Sequence, residues 1–413
     1  MTTSLSRRHT LGLLGMALMP SLGPCTAGVI AGNPSRHLHL LGRDPSLHPD
    51  SDIIKQPKAS VLTTIDYGSG AARQTILPME GGHAVLRCSE QHIICTAQHG
   101  PKCLVVDADH AIVTELEASA ENLFGGHGWI ETGRRLILLP QRRKIALTKA
   151  DVGSLLVFDS LTFRHLDTIE TEGIHPHEIQ PIPGRAELAV THYGDIAHPD
   201  AVLQHNVLDP KLTILDAVTF RPKRHYPLAD FGAMVTHMSV DEGGFAYLAL
   251  TQFVRFPKNM SYGDVVARLE RYLGRPLDYD IPRAALEQRL LAVPLPVIKI
   301  DTQTGSRHTI RLADRYHLRS QSVAYNQTCK CAIVSYTHSD VLLVIPHIGE
   351  PTIVTADELG ISSLTGVTDV AGTPYVAVST SFRDSVIYDL SERRVLHRFE
   401  SRNYLDTHIS CLA

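Results

Sequence analysis

From residue 59 onward, hydrophobic positions gather in short runs separated by Gly, Pro, Asp and Asn. Runs of strand length with turn residues between them are the mark of an all-β chain. One kind of run is apolar and in most cases closes on an aspartate. It recurs at Ser60–Asp66, Cys103–Asp107, Ser154–Asp159, Leu212–Asp216, Val297–Asp301, Val341–Pro346 and Ser385–Asp389. A few turn residues then lead into another strand, as at Arg73–Pro78, Arg164–Ile169, Arg307–Leu312 and Arg394–Phe399. Seven strand–turn–strand units emerge.

Each unit is expected to open on an inner strand. The candidate openings are Gly82-His83-Ala84, Gly126-His127-Gly128, Pro176-His177-Glu178, Thr236-His237-Met238, Ser320-Gln321-Ser322, Thr365-Gly366-Val367 and Thr407-His408-Ile409. Their central residues are 42 to 60 positions apart, except for 84 between His237 and Gln321. A four-stranded propeller blade takes about 40–50 residues. The long interval contains residues 259–292, where Val265, Val266, Leu269 and Leu273 change to helical spacing. Without that stretch the fourth unit has ordinary length. The final opening has one strand's worth of chain after it, and the runs at about 36–79 supply what the last unit lacks. The pattern therefore predicts a seven-bladed β-propeller with a helical insertion in blade four. Its last blade is closed by N- and C-terminal strands, which leaves no open sheet edge.

Composition changes this picture little. The chain has 413 residues, 43% of them hydrophobic and 20% charged, with a formal charge of −4. That balance gives no reason to expect nucleic acid or an anionic membrane surface as a partner. Residues 1–30 read as an export signal, with residues 31–413 as a single propeller. Ser6-Arg7-Arg8 precedes an apolar run from Leu11 to Met19, which is too short to span a bilayer and is broken by Pro20. The twin arginines resemble a twin-arginine signal, with Thr10 and Gly12 departing from its consensus. A periplasmic monomer with no transmembrane anchor in the mature chain is expected. Pro24 before Cys25 fits a lipidation site poorly. Cys88, Cys95, Cys103, Cys329, Cys331 and Cys411 lack the paired spacing of a structural zinc site and read as buried thiols or one or two disulfides.

Three segments are distinctive together: Gly126-His127-Gly128, the stretch GIHPHEI at 173–179, and THYGDIAHPD at 191–200. With the closing Asp406-Thr407-His408 they resemble a bacterial export-signal family, the domain of unknown function 1513 family, over most of the mature chain. The resemblance implies a periplasmic propeller without an assigned reaction, sometimes encoded beside imelysin-type iron-handling proteins, which are the partners it suggests. Two departures stand out. His175 occupies a place where the family usually has Gly, and Gln141-Arg142-Arg143-Lys144 replaces an acidic segment.

The 23 histidines are the compositional outlier. Aligning the seven openings puts His83, His127, His177, His237 and His408 at one level, with Gln321 and Gly366 completing the ring. Innermost strands line a propeller's axis, and alternation along each strand sends equivalent side chains the same way. Five neutral imidazoles converging there suit iron, copper or zinc. Ligating imidazoles are steadied through their second nitrogen, and Glu178, Asp241, Asp369 and Asp406 are candidate supports. His175 and His198 are expected at the mouth, the latter beyond His192 on the loop after blade three's second strand. His92, His99, His110, His225, His338 and His347 read as surface residues. No Gly-x-Ser-x-Gly, P-loop or dinucleotide fingerprint occurs. The leading reading is a metal-binding propeller linked to iron or redox handling. The alternative is a non-enzymatic binding or scaffold propeller of an uptake system. A hydrolase or lyase using Glu178 or Asp195 as base ranks last, since no paired nucleophile accompanies them.

Overall fold

The computed structural model describes residues 37–43, 59–196 and 207–411. Antiparallel strands make seven blades. Blade one is Gly82–Arg87, His92–Ala97, Lys102–Asp107 and Ile112–Glu117, in order from the axis outward. Blades three to five repeat the scheme, starting on Pro176–Pro181, Met234–Val240 and Ser320–Asn326. Blade six starts on Leu364–Val370. The first strands of successive blades touch one another, which places them around the axis.

Burial follows position within the blade. Second strands such as Glu187–His192 and Cys331–Tyr336 are buried along their whole length, because neighbouring blades cover both faces. That is why they read as continuous apolar runs instead of alternating ones. The outermost strand Pro222–Pro227 alternates between half-buried and exposed.

The aspartates that end the apolar runs have a local purpose. Asp66, Asp159, Asp216, Asp301 and Asp389 each accept backbone N–H groups two and three residues ahead, closing the hairpin into the outer strand. This is the turn-forming bond for which short polar side chains are selected. Phe163, Phe220 and Arg393 take positive φ in three of these turns.

Arg394–Cys411 is one strand of 18 residues serving two blades. Its first part pairs with Phe382–Asp389 in blade six. Its last part pairs with His37–Arg43, which in turn pairs with Ser60–Asp66 and then Ala72–Leu77. Asn403 fastens this junction from a fully buried position: its amide donates to the carbonyls of Val61 and Leu40 and accepts from Thr63 Oγ1.

Between Phe245–Thr251 and Val297–Asp301, the chain leaves blade four on a two-stranded ribbon, Phe253–Arg255 with Leu290–Ala292. The ribbon carries helices Tyr262–Leu273 and Arg283–Gln288. The first begins at a Ser261/Asp264 capping box and stops at Gly274 in the left-handed conformation. Val265 and Leu269 are buried in the same core as Leu212, Leu228, Leu248 and Ile298. The helices thus add to the packing of blades three and four. Among the described residues no helix is long and apolar enough to cross a membrane.

Candidate metal centre

Inner strands begin at one face of the propeller, and their first residues hold the histidines. In blade one the strand pairing steps from Gly82 to Ala84, leaving His83 as a bulge; in blade three it steps from Pro176 to Glu178, leaving His177. The same irregularity falls on Gln321 in blade five, on Thr365-Gly366 in blade six and beside His237 in blade four. A bulge adds a residue and re-aims its side chain. Blade two differs from the sequence expectation. His127 does not open a continuous strand but lies in a break between Asn122–Phe124 and Trp129–Glu131. Its backbone N–H is held by the carbonyl of His177.

The break depends on glycine. A Cβ on Gly126 (φ +133°) would lie 2.6 Å from Cε1 of His177 and 3.1 Å from Cδ2 of His83. Gly366 has a similar reason, since a Cβ there would lie 3.0 Å from the Cα of His408. The missing side chain in blade six leaves room for the closing strand.

The five rings meet. Centroids are 4.0 Å apart for His83 and His408, 4.6 Å for His83 and His127, and 4.9 Å for both His127–His237 and His237–His408. His177 packs on this group at 4.7 Å from His237 and 5.2 Å from His127. His83, His127, His237 and His408 each offer a ligand atom within 4.8 Å of the others, close enough to hold a metal ion. At a metal–nitrogen distance of about 2.1 Å, tetrahedral ligands stand about 3.4 Å apart. The rings would draw inward to close the set on one ion.

Burial without partners marks these rings. Nε2 of His83, His127, His177 and His408 is buried and has no hydrogen-bond partner. Such atoms are costly unless something fills them. Burial first, and then mutual repulsion, holds the His83, His177 and His408 imidazoles well below their ordinary pKa. His127 is lowered to about 4 by burial, with Glu178 opposing and His237 adding to the shift. Neutral imidazoles are the form that binds metals.

Supporting contacts are partly those expected. Glu178 is buried, with Oε2 3.3 Å from Nδ1 of His237 and 2.9 Å from the Met238 N–H. Its Oε1 accepts from Gln180 at 2.6 Å. Burial alone would raise the Glu178 pKa, but His127, His237 and the Met238 N–H outweigh it, leaving the group below its usual value. His177 directs Nδ1 to the carbonyl of Gly125. Asp241 is a correction: it lies at the far end of its strand and accepts from Phe245 N–H at 2.9 Å and Tyr247 Oη at 3.3 Å. Asp369, at the corresponding end in blade six, accepts from Asn326. The side chain of Asp406 and all of His198 lie outside the described residues. Gln321 keeps its matching place in blade five.

A second polar group, whose assembly the sequence does not show, lies at the same face. Nδ1 of His175 is bonded to Oδ1 of Asp195, and Oδ2 of Asp195 is 3.8 Å from a terminal nitrogen of Arg142. Burial lowers the His175 pKa, with the Asp195 bond opposing it. Tyr193 connects this group to the ring: it packs 4.6 Å from His177 and its hydroxyl accepts from Gln98. His192 is buried and bonded to Thr171 and the Lys211 carbonyl, a structural position. His110, expected at the surface, is instead buried between Thr64 and Thr75. The six cysteines are free thiols.

Known structures share the architecture. A chain of the Kuenenia stuttgartiensis hydrazine synthase structure matches with a TM-score of 0.53 at 10% identity, over 83% of this chain and 92% of its own. A functionally unknown protein from Desulfotomaculum acetoxidans matches with a TM-score of 0.53 at 9% identity, over 91% of this chain and 98% of its own. At such identities the likeness concerns the fold alone. No curated protein matches the sequence. Residues 77–257, which include His83, His127, His177 and His237, match the family model "Protein of unknown function (DUF1513)", the family that the sequence motifs resemble.

Proposed function

We propose that this propeller binds one divalent transition metal on its axis through His83, His127, His237 and His408, with His177 beside them as a further ligand. The carrying observation is the convergence of four imidazoles within 4.8 Å, His83, His237 and His408 buried and His127 half-buried, three of which present an unpartnered Nε2. Water would satisfy one or two such nitrogens, whereas an ion satisfies all together and relieves the packing of like dipoles. Glu178 supplies a negative charge behind His237 and offsets part of the ion's charge without occupying a ligand position. The ion would supply redox or Lewis-acid chemistry. The chain's own residues fix the rings and exclude competing donors. Iron is the first candidate, on the strength of the family resemblance, with copper and zinc as competitors for the same imidazoles. We further propose that the chain is exported to the periplasm by residues 1–30 and acts there as residues 31–413; this part rests on the sequence.

The test is a titration of metal-free protein with Fe(II), Cu(II) and Zn(II), followed by isothermal calorimetry or competition with a chromophoric chelator. One tight site per chain is expected, lost when His127 and His237 are both replaced by Ala. Equal binding by that variant would exclude the axial site.

A further inference from the structure

The face that holds the imidazole cluster also carries Arg142, His175 and Asp195. Arg142 is the penultimate residue of the second strand of blade two, His175 precedes the inner strand of blade three, and Asp195 follows that blade's second strand. In antiparallel blades the start of the first strand and the end of the second lie at the same face, so all three border the mouth of the cluster. Arg142 comes from the basic run that stands out in the sequence.

Arg142 is incompletely partnered for a buried guanidinium. Its side chain is 9% exposed, its Nε is buried with no partner, and its contact with Asp195 is 3.8 Å, beyond hydrogen-bond range. An arginine binds a carboxylate side-on through Nε and one terminal nitrogen, and that edge has an unused donor. His175 has the complementary lack. With Nδ1–H donating to Asp195, the neutral ring leaves Nε2 as an acceptor, and Nε2 is buried with no partner. One carboxylate, Asp195, therefore stands between an unmet donor and an unmet acceptor. A chemical group that meets both has an anionic oxygen for Arg142 and a hydroxyl hydrogen for His175.

We propose that Arg142 and His175, braced by Asp195, form a binding site for a small hydroxycarboxylate anion at the mouth of the axial cluster. The carboxylate lies on the Nε edge of Arg142, and the hydroxyl donates to Nε2 of His175. Tyr193, packed on His177 and two residues before Asp195, joins this site to the imidazoles. The anion site stands on its own residues; only its role as the substrate site of a metal centre rests on the function proposed above.

The experiment uses calorimetric titration of the mature chain, metal-free and metal-loaded, with glycolate and with acetate as the hydroxyl-free probe. Glycolate is expected to bind both forms, and more tightly than acetate. Loss of a charge-assisted contact in Arg142→Gln is expected to weaken glycolate about tenfold or more, with metal stoichiometry and melting temperature retained. Arg142→Lys, which keeps the charge but loses the side-on edge, is expected to show a similar loss and covers the case in which the Gln variant folds poorly. His175→Ala is expected to bring glycolate down to the affinity of acetate. The proposal is overturned if glycolate fails to bind either form, or if both Arg142 variants bind it as the parent does. A protein that binds glycolate but no metal would refute the axial metal and leave the anion site standing.

Discussion

Replacing His127 with Asn in the metal-free protein gives a prediction with a calculable size. The folded state holds the His127 imidazole at a pKa of about 4, against 6.5 for a free side chain, chiefly through burial. Below pH 6.5 the unfolded chain takes up a proton that the folded chain refuses, so stability falls as pH falls. This loss runs through the window from 6.5 to about 4, and above pH 6.5 the contribution is complete. At 1.36 kcal/mol per unit, the 2.5-unit difference amounts to about 3 kcal/mol across that window. Asn cannot take the proton, so His127→Asn removes this dependence. Urea unfolding at intervals between pH 7.5 and pH 4.5 would show a slope shallower by about 1.4 kcal/mol per pH unit than that of the parent. His83, His177 and His408 are shifted in the same direction, so the parent curve is steep and the difference reads as one proton fewer. Parallel curves for the two proteins would refute the reasoning, since they would mean that the ring protonates as readily in the folded state as in the unfolded chain.

Gly126→Ala places a Cβ against His177 and His83 at a positive φ; a loss of about 2–5 kcal/mol is expected from strain and overpacking, measured by denaturant unfolding. Glu178→Gln removes the charge behind His237, and metal affinity is expected to fall about 10–100-fold by chelator competition. Asn403→Ala leaves the Val61 carbonyl and Thr63 hydroxyl without their partner, at a cost of about 2–4 kcal/mol. Hydrogen exchange should quicken first in Leu38–Leu41 and Val61–Ile65, where the two chain ends meet. Asp216→Ala removes the acceptor for the Val218 and Thr219 N–H groups and should cost about 1–2 kcal/mol by thermal unfolding, without changing metal binding.

The blade count was legible because each blade is a local unit and the third strand of most of them ends in a sequence-visible device. Asp159 and Asp216 recur because the same hairpin needs the same acceptor. The convergence of five histidines was legible for a related reason: equivalent positions in a closed repeat share one level. What stayed hidden depends on single-residue register and on contacts across blades. A bulge at His83 or His177 leaves no mark in the periodicity, and the break around His127 shows only as paired glycines. Asp241 is four residues past His237, and strand geometry puts it at the far end of the channel, where Phe245 and Tyr247 hold it. His110 looked like a turn residue by its neighbours, but Thr64 and Thr75 reach it from an adjacent blade. Arg142 and Asp195 are 53 positions apart and meet only because blades two and three are neighbours.

The central claim is that the axial imidazoles hold a metal. Its most direct measurement is the metal content of protein isolated without chelators, by plasma mass spectrometry, together with X-ray absorption of the bound ion. One transition metal per chain with a shell of imidazole nitrogens is expected, and none in the His127→Ala/His237→Ala variant. Protein that carries no transition metal as isolated and takes up none on titration would contradict it.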